Sequence, residues 1–138
     1  MKKPAALLKP EKNYLRLMRL AKDVAVNSYS PYSKFSVGAA VLAISGKIYT
    51  GANIENVSYG LSMCAERVAI FKAISAGEKR INAVAVWTKG GNAFPCGACR
   101  QVIAEFAPNA EIVINTPKDI SVFDTETLLP KVFKKNCC

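Results

Sequence analysis

The chain has 138 residues, 51% of them hydrophobic and 21% charged, a size and composition that give one domain with one core and exclude wholesale disorder. Histidine is absent, which rules out Ser-His-Asp and Cys-His catalysis and any metal site that needs imidazole. The net charge of +9 is confined to the ends: residues 1–22 hold seven basic side chains against Glu11, residues 131–138 hold three basic ones, and residues 23–130 hold nine of each sign.

Such placement reads as solvated basic termini, because a polynucleotide groove puts its cations among the functional loops. No nucleic-acid partner is expected. The longest apolar run, Val37 to Ile44, is far too short to span a bilayer. Ala5 to Leu8, ended by Lys9, is too brief for the apolar region of a signal peptide. A cytoplasmic protein with no membrane partner is therefore expected.

Residues 1–9 read as a loose basic arm and 134–138 as a basic tail of a single domain spanning 1–138. Pro10 suits a first helical turn, and Tyr14, Leu17, Met18, Ala21, Val24 and Ala25 recur at helical spacing, so a helix is predicted to run to about Asn27. Ser30-Pro31-Tyr32-Ser33 breaks the chain. Val37 to Ile44 and Lys47 to Asn53, separated by Ser45-Gly46, form a hairpin. Glu55 to Leu61 is loop. A second helix is predicted from about Met63 to Ala76, with Ser62 as its N-cap and Gly77 as its stop. Ile81 to Trp87 is a strand and Lys89 to Phe94 a loop. Pro95 opens a third helix that ends before Pro108. Glu111 to Asn115 and Ile120 to Phe123 are short strands, and Asp124 caps a last turn from Thr125 to Leu129. The order α-β-β-α-β-α-β-β-α gives a three-layer α/β/α sandwich.

Chemistry gathers at three cysteines. Cys96-Gly97-Ala98-Cys99 opens one helix, and Cys64 opens another. Helix N-termini favour thiolate over thiol. Three readings compete. A thioredoxin-type redox pair uses Cys96 and Cys99 and leaves Cys64 idle. Inert buried cysteines account for each alone. A three-thiolate zinc site uses all three, and three protein ligands with one open position define a catalytic zinc. Glu66, two residues after Cys64, points about 200° away from it if both are helical. The two face one metal only if it sits off the helix tip, where Glu66 is free to move a proton and does not ligate. The commoner role of a glutamate in a first turn is complementing the helix dipole. Zinc with three thiolates carries a net charge of −1, which calls for a cation. Arg67 and Arg100, each in the same helix turn as a candidate ligand, could donate to sulfur.

Cys64-Ala65-Glu66-Arg67 followed by Pro95-Cys96-Gly97-Ala98-Cys99-Arg100-Gln101 resembles the zinc-dependent cytidine deaminases, in their short homotetrameric branch with three cysteine ligands. The resemblance runs from Ser30-Pro31-Tyr32-Ser33-Lys34-Phe35 through Gly51-Ala52-Asn53-Ile54-Glu55-Asn56 to Leu128-Leu129-Pro130. It implies a sandwich around a central mixed sheet and one zinc per chain on Cys64, Cys96 and Cys99. It implies hydrolytic deamination of cytidine and deoxycytidine in pyrimidine salvage, by water that zinc holds against C4, with Glu66 as proton shuttle.

By the same resemblance, Asn53 and Glu55 bind the ribose hydroxyl, Phe35 packs on the pyrimidine, and the Ala65 backbone contacts the base. Arg67 neutralises the thiolates. Tyr59 enters a neighbouring subunit's site, and Phe133 helps to close one. The alternative for both aromatics is a place in their own chain's core. Without the family, a turn-capping Asn53, a solvated Glu55 and a core Phe35 are the ordinary roles. Two features depart from the family pattern. Phe94 stands where serine is common, which makes the site mouth bulkier, and Lys134-Lys135-Asn136-Cys137-Cys138 replaces the usual ending after Phe133. Cys137 and Cys138 read as exposed thiols outside the fold. A polynucleotide deaminase would share the zinc core but should show basic and aromatic residues around the mouth. A non-catalytic zinc module would not need Glu66, and an aminonucleoside antibiotic deaminase should lack Asn53-Ile54-Glu55-Asn56.

Overall fold

The computed structural model describes residues 12–135. The expected arm over residues 1–9, and Cys137 and Cys138, lie outside them. Helix α1 (Lys12–Val24) continues as a 3-10 turn over Ala25–Asn27. The hairpin is β1 (Val37–Ala43) and β2 (Ile48–Ala52). Helix α2 (Ala65–Ser75), strand β3 (Ile81–Thr88), helix α3 (Gly97–Phe106), strands β4 (Glu111–Asn115) and β5 (Ile120–Asp124), and the short helix α4 (Thr125–Leu128) follow. One sheet in the order β2-β1-β3-β4-β5 joins the strands. It is mixed: β3 and β4 run parallel, and the other neighbours run antiparallel.

Both faces of this sheet are covered, which is why β1 reads as an unbroken apolar run. Val37, Ala39, Val41 and Ala43 of β1, with Val84, Val86, Ile112 and Ile114, pack on one side with Ala69, Ile70 and Ala73 of α2 and Ile103 of α3. The alternate residues Ala40, Ala83, Ala85, Val113 and Val122 face Tyr14, Leu17, Met18 and Ala21 of α1. The expected three-layer α/β/α sandwich is therefore the observed one. Two glycines let helices lie directly on strands. A Cβ on Gly38 would stand 1.9 Å from the Ala21 carbonyl oxygen of α1, and one on Gly51 would stand 2.6 Å from the Ala69 nitrogen of α2.

Two details correct the sequence reading. Helix α2 starts at Ala65 with Cys64 in the N-cap position, extended at φ −73° and ψ 152°. Met63 instead bridges to Ile54, and the Ser62 hydroxyl accepts the Asn56 N–H at 3.1 Å, so Ser62 is not the cap. The segment read as loop before α2 contains a 3-10 turn, Tyr59–Leu61. Among the described residues no helix is long and apolar enough to cross a membrane.

The register decides where loops meet. Val37, at the start of β1, pairs with Thr88, at the end of β3, while Gly38 pairs with Ala52, at the end of β2. The segments before β1, after β2 and after β3 therefore converge at one end of the sheet.

Candidate active site

At that end the N-termini of α2 and α3 meet. Cys64 caps α2, Cys96 caps α3, and neither uses its side chain to cap. Cys99 is buried in the first turn of α3. The three sulfurs lie within 4.8 Å of one another, and the Cys64 and Cys96 sulfurs are 3.7 Å apart. Two sulfurs each about 2.3 Å from one tetrahedral zinc stand about 3.8 Å apart, so the donor set fits zinc in both chemistry and spacing. Both helix dipoles place their positive ends at these sulfurs.

An Arg67 Nη2 donates to the Cys64 sulfur at 3.4 Å. The buried Arg67 Nε has no hydrogen-bond partner, so this cation is committed to the sulfur cluster and little else. A hydrogen bond from Cys99 and the Arg67 guanidinium hold the Cys64 thiol down at about 5. The Cys99 thiol is pushed up, because it donates to Cys64 and is buried beside Glu66. Cys64 is thus the thiolate of the cluster and Cys99 the thiol that donates to it, so binding a metal on all three sulfurs must release the Cys99 proton. Arg100, the other candidate cation, is directed elsewhere: its Nε donates to the Pro95 carbonyl at 2.7 Å and its Nη1 to the Leu128 carbonyl at 2.8 Å.

Because Cys64 lies off the helix tip, Glu66 shares its side of the cavity and need not point away from it. Both line a cavity of about 300 Å³ with Phe35, Asn53, Glu55, Ala65 and Cys96. Glu66 is only 4% exposed, and burial pushes its carboxyl up, outweighing the hydrogen bond to Cys99.

The end of β2 supplies the polar groups of the opposite wall. Asn53 Oδ1 accepts the Val37 N–H at 2.9 Å and the Ser28 hydroxyl, and its Nδ2 donates to the Phe35 carbonyl at 2.7 Å. One amide N–H remains for a ligand. Glu55 accepts the Tyr32 and Ser33 N–H groups at 3.0 and 3.1 Å and the Ser33 hydroxyl. The Ser33 hydroxyl above all, then the two N–H groups and Lys34, hold this carboxyl below the usual range. The Ser30-Pro31-Tyr32-Ser33 segment, read from sequence as a break and as the start of the family resemblance but given no role, supplies the clamp on Glu55 through Tyr32 and Ser33. Asn115 was also missed. Its side chain grips both the N–H and the carbonyl of Thr88, and its own carbonyl accepts the Asn92 N–H, which anchors the loop leading to Cys96.

Tyr59 and Phe133 are 73% and 79% exposed, so neither belongs to its own chain's core. Tyr59 stacks edge-on against Tyr32 at 5.6 Å and borders a second depression that shares Ser33, Glu55 and Ser62 with the main cavity. Phe133 does not line the cavity; its carbonyl accepts from Gln101 at 3.2 Å.

A three-sulfur metal site on two helix tips, beside a buried carboxylate in a substrate-sized cavity, defines a zinc-dependent hydrolytic site on an α/β/α fold. The family model for the cytidine and deoxycytidylate deaminase zinc-binding region matches residues 11–116. A cytidine deaminase of Sporosarcina psychrophila is 47% identical over 123 residues, covering 87% of this chain and 90% of the relative. One of Halalkalibacterium halodurans is 45% identical, covering 85% and 91%. The crystal structure of cytidine deaminase from Burkholderia pseudomallei superposes with a TM-score of 0.81 at 43% identity, over 87% of this chain and 98% of that one. The chain belongs to the zinc-binding cytidine and deoxycytidylate deaminase family and is an enzyme.

Proposed function

We propose that the protein hydrolyses cytidine and deoxycytidine to uridine and deoxyuridine plus ammonia, as a cytoplasmic pyrimidine-salvage enzyme. The observation that carries this reading is the buried Glu66 carboxyl on the wall of one cavity with Cys64 and Cys96, whose sulfurs cluster with that of the buried Cys99 behind them. Those cysteines would hold one zinc ion per chain, which supplies Lewis-acid activation of water. Glu66 accepts one proton of the attacking water at its carboxylate oxygen and gives it to the pyrimidine ring nitrogen; it then accepts the second proton, from the new hydroxyl at C4, and gives it to the departing amine, so that ammonia leaves as the C4 carbonyl forms. Arg67 offsets the thiolate charge. Phe35 lays its ring against the base, where the Ala65 backbone also faces the cavity. Asn53 offers its remaining N–H, and Glu55 its carboxylate, to the sugar hydroxyls.

Glu55 is ionised at neutral pH and would repel a phosphate placed at the sugar. The neutral balance of residues 23–130 supplies no track for a polynucleotide backbone. Zinc-loaded protein should therefore deaminate cytidine, seen as an absorbance change with ammonia release, and leave a cytosine-containing oligonucleotide essentially untouched. No cytidine turnover, or an oligonucleotide rate that rivals it, overturns the reading.

The assembly belongs to the same proposal: a homotetramer whose subunits share active sites. Its support is the apolar surface on the segment between β2 and α2, where Val57, Tyr59 and Leu61 are exposed, together with the exposed Phe133. A neighbour covering these side chains would also deepen a cavity that one short chain leaves open. Co-refolding Glu66→Gln chains with Tyr59→Ala chains should recover activity, because some pockets then combine an intact Glu66 with a donated Tyr59. No recovery, or a monomer by light scattering at micromolar concentration, refutes the sharing.

A further inference from the structure

Phe94 lies between two buried residues, Ala93 and Pro95, in the segment joining β3 to α3. Its backbone is fixed: the Phe94 N–H donates to the Asn92 carbonyl at 2.9 Å, and the Asn92 N–H to the Asn115 carbonyl at 2.7 Å. The ring nevertheless stays 48% exposed. A phenylalanine serving packing alone would bury its apolar surface. Instead the ring contacts Phe123 of β5 edge-to-face, with centroids 5.5 Å apart and planes at 62°, and lines the cavity. That contact fixes the ring's orientation.

Position then assigns what the ring meets. Phe94 is two residues before Cys96 in the chain and lines the cavity with it, whereas Asn53 and Glu55 enter the same cavity from the end of β2. A nucleoside with its reacting carbon at the sulfurs sets its base beside Phe94 and its sugar toward Asn53 and Glu55. The geometry points to Phe94 as a specificity-determining wall: the Phe123-anchored ring covers the bound pyrimidine and bars bulky substituents on it. This assignment rests on the nucleoside deaminase reading.

The test compares wild type, Phe94→Ser, Phe94→Leu and Phe123→Ala on three substrates: cytidine, cytidine with a bulky group at ring carbon 5, and cytidine enlarged at the 2′ carbon of the sugar. In Phe94→Ser the KM for cytidine should rise about tenfold with kcat little changed, and the base-enlarged analogue should gain about tenfold in kcat/KM relative to cytidine. The sugar-enlarged analogue should not gain. Phe94→Leu, which keeps apolar bulk, should restore most of the cytidine KM. Phe123→Ala, altered outside the cavity, should shift preference the same way by freeing the ring, and it keeps the proposal testable if Phe94→Ser does not fold. An unchanged preference among the three substrates in active, zinc-loaded variants, or an equal gain for the sugar-enlarged analogue, overturns the assignment. Wild-type enzyme that turns over no cytidine overturns the nucleoside deaminase reading itself.

Discussion

Cys96→Ala is expected to lose its zinc and essentially all turnover, and to melt at a lower temperature than the zinc-loaded wild type. Its sulfur is 3.7 Å from that of Cys64, and the pair with Cys99 forms the only three-ligand cluster found among the described residues. Removing one sulfur leaves two ligands, too few to fix a tetrahedral ion with one open position. The loss reaches the fold because Cys64 and Cys96 cap two different helices, and a shared ion ties the two tips together. A ligand that binds only the folded state adds about 4 kcal/mol at a thousandfold excess over its Kd. Chelating the wild type should lower its melting temperature in the same direction. Elemental analysis and thermal unfolding check both results. A Cys96→Ala protein with full activity, or active wild type free of zinc, would end the three-thiolate reading.

The elements most legible in the sequence were those whose burial is periodic. Tyr14, Leu17, Met18 and Ala21 give α1 its face and are buried, as is Ala25 in the 3-10 turn that follows, whereas Val24 is half-buried. The sulfur cluster was legible for a different reason: C-x-x-C and a cysteine before a glutamate are local patterns whose chemistry survives without coordinates. What could not be read is whatever depends on a distant partner. Ser62 has the usual cap chemistry, but the pairing of Met63 with Ile54 keeps that stretch extended and moves the helix start to Ala65. By spacing alone Arg67 and Arg100 look equivalent, and only the family resemblance singles out Arg67. The Leu128 carbonyl, 28 residues away, takes Arg100 out of the sulfur cluster and leaves Arg67 alone there. Asn53 looks like a turn residue or a ligand-binding one. It is first a strut that ties Ser28, Phe35 and Val37 together, and only one of its N–H groups is left to meet a substrate. The pairing order of the sheet was equally out of reach, yet it is the register of Val37 with Thr88 that brings Phe35 and Cys96 to the same cavity.

Glu66→Gln is expected to keep zinc and fold while losing about 10²–10⁴ in turnover, the usual worth of a general acid or base. The amide matches the carboxylate in shape, so a side chain only 4% exposed in the first turn of α2 can be exchanged without opening a cavity. The amide cannot carry a proton from water to a ring nitrogen. Burial already pushes the Glu66 carboxyl upward, toward the operating pH at which a proton carrier both accepts and releases. The competing role, complementing the dipole of α2, makes the opposite pair of predictions. A first-turn carboxylate of that kind contributes about 0.3–1 kcal/mol to stability, so the variant would melt slightly lower and turn over at nearly the wild-type rate. Measuring zinc content, melting temperature and kcat on one preparation separates the two. Zinc retained with kcat down by about 10² or more assigns the proton to Glu66, whereas zinc retained with kcat within a few-fold of wild type shows that another group carries it.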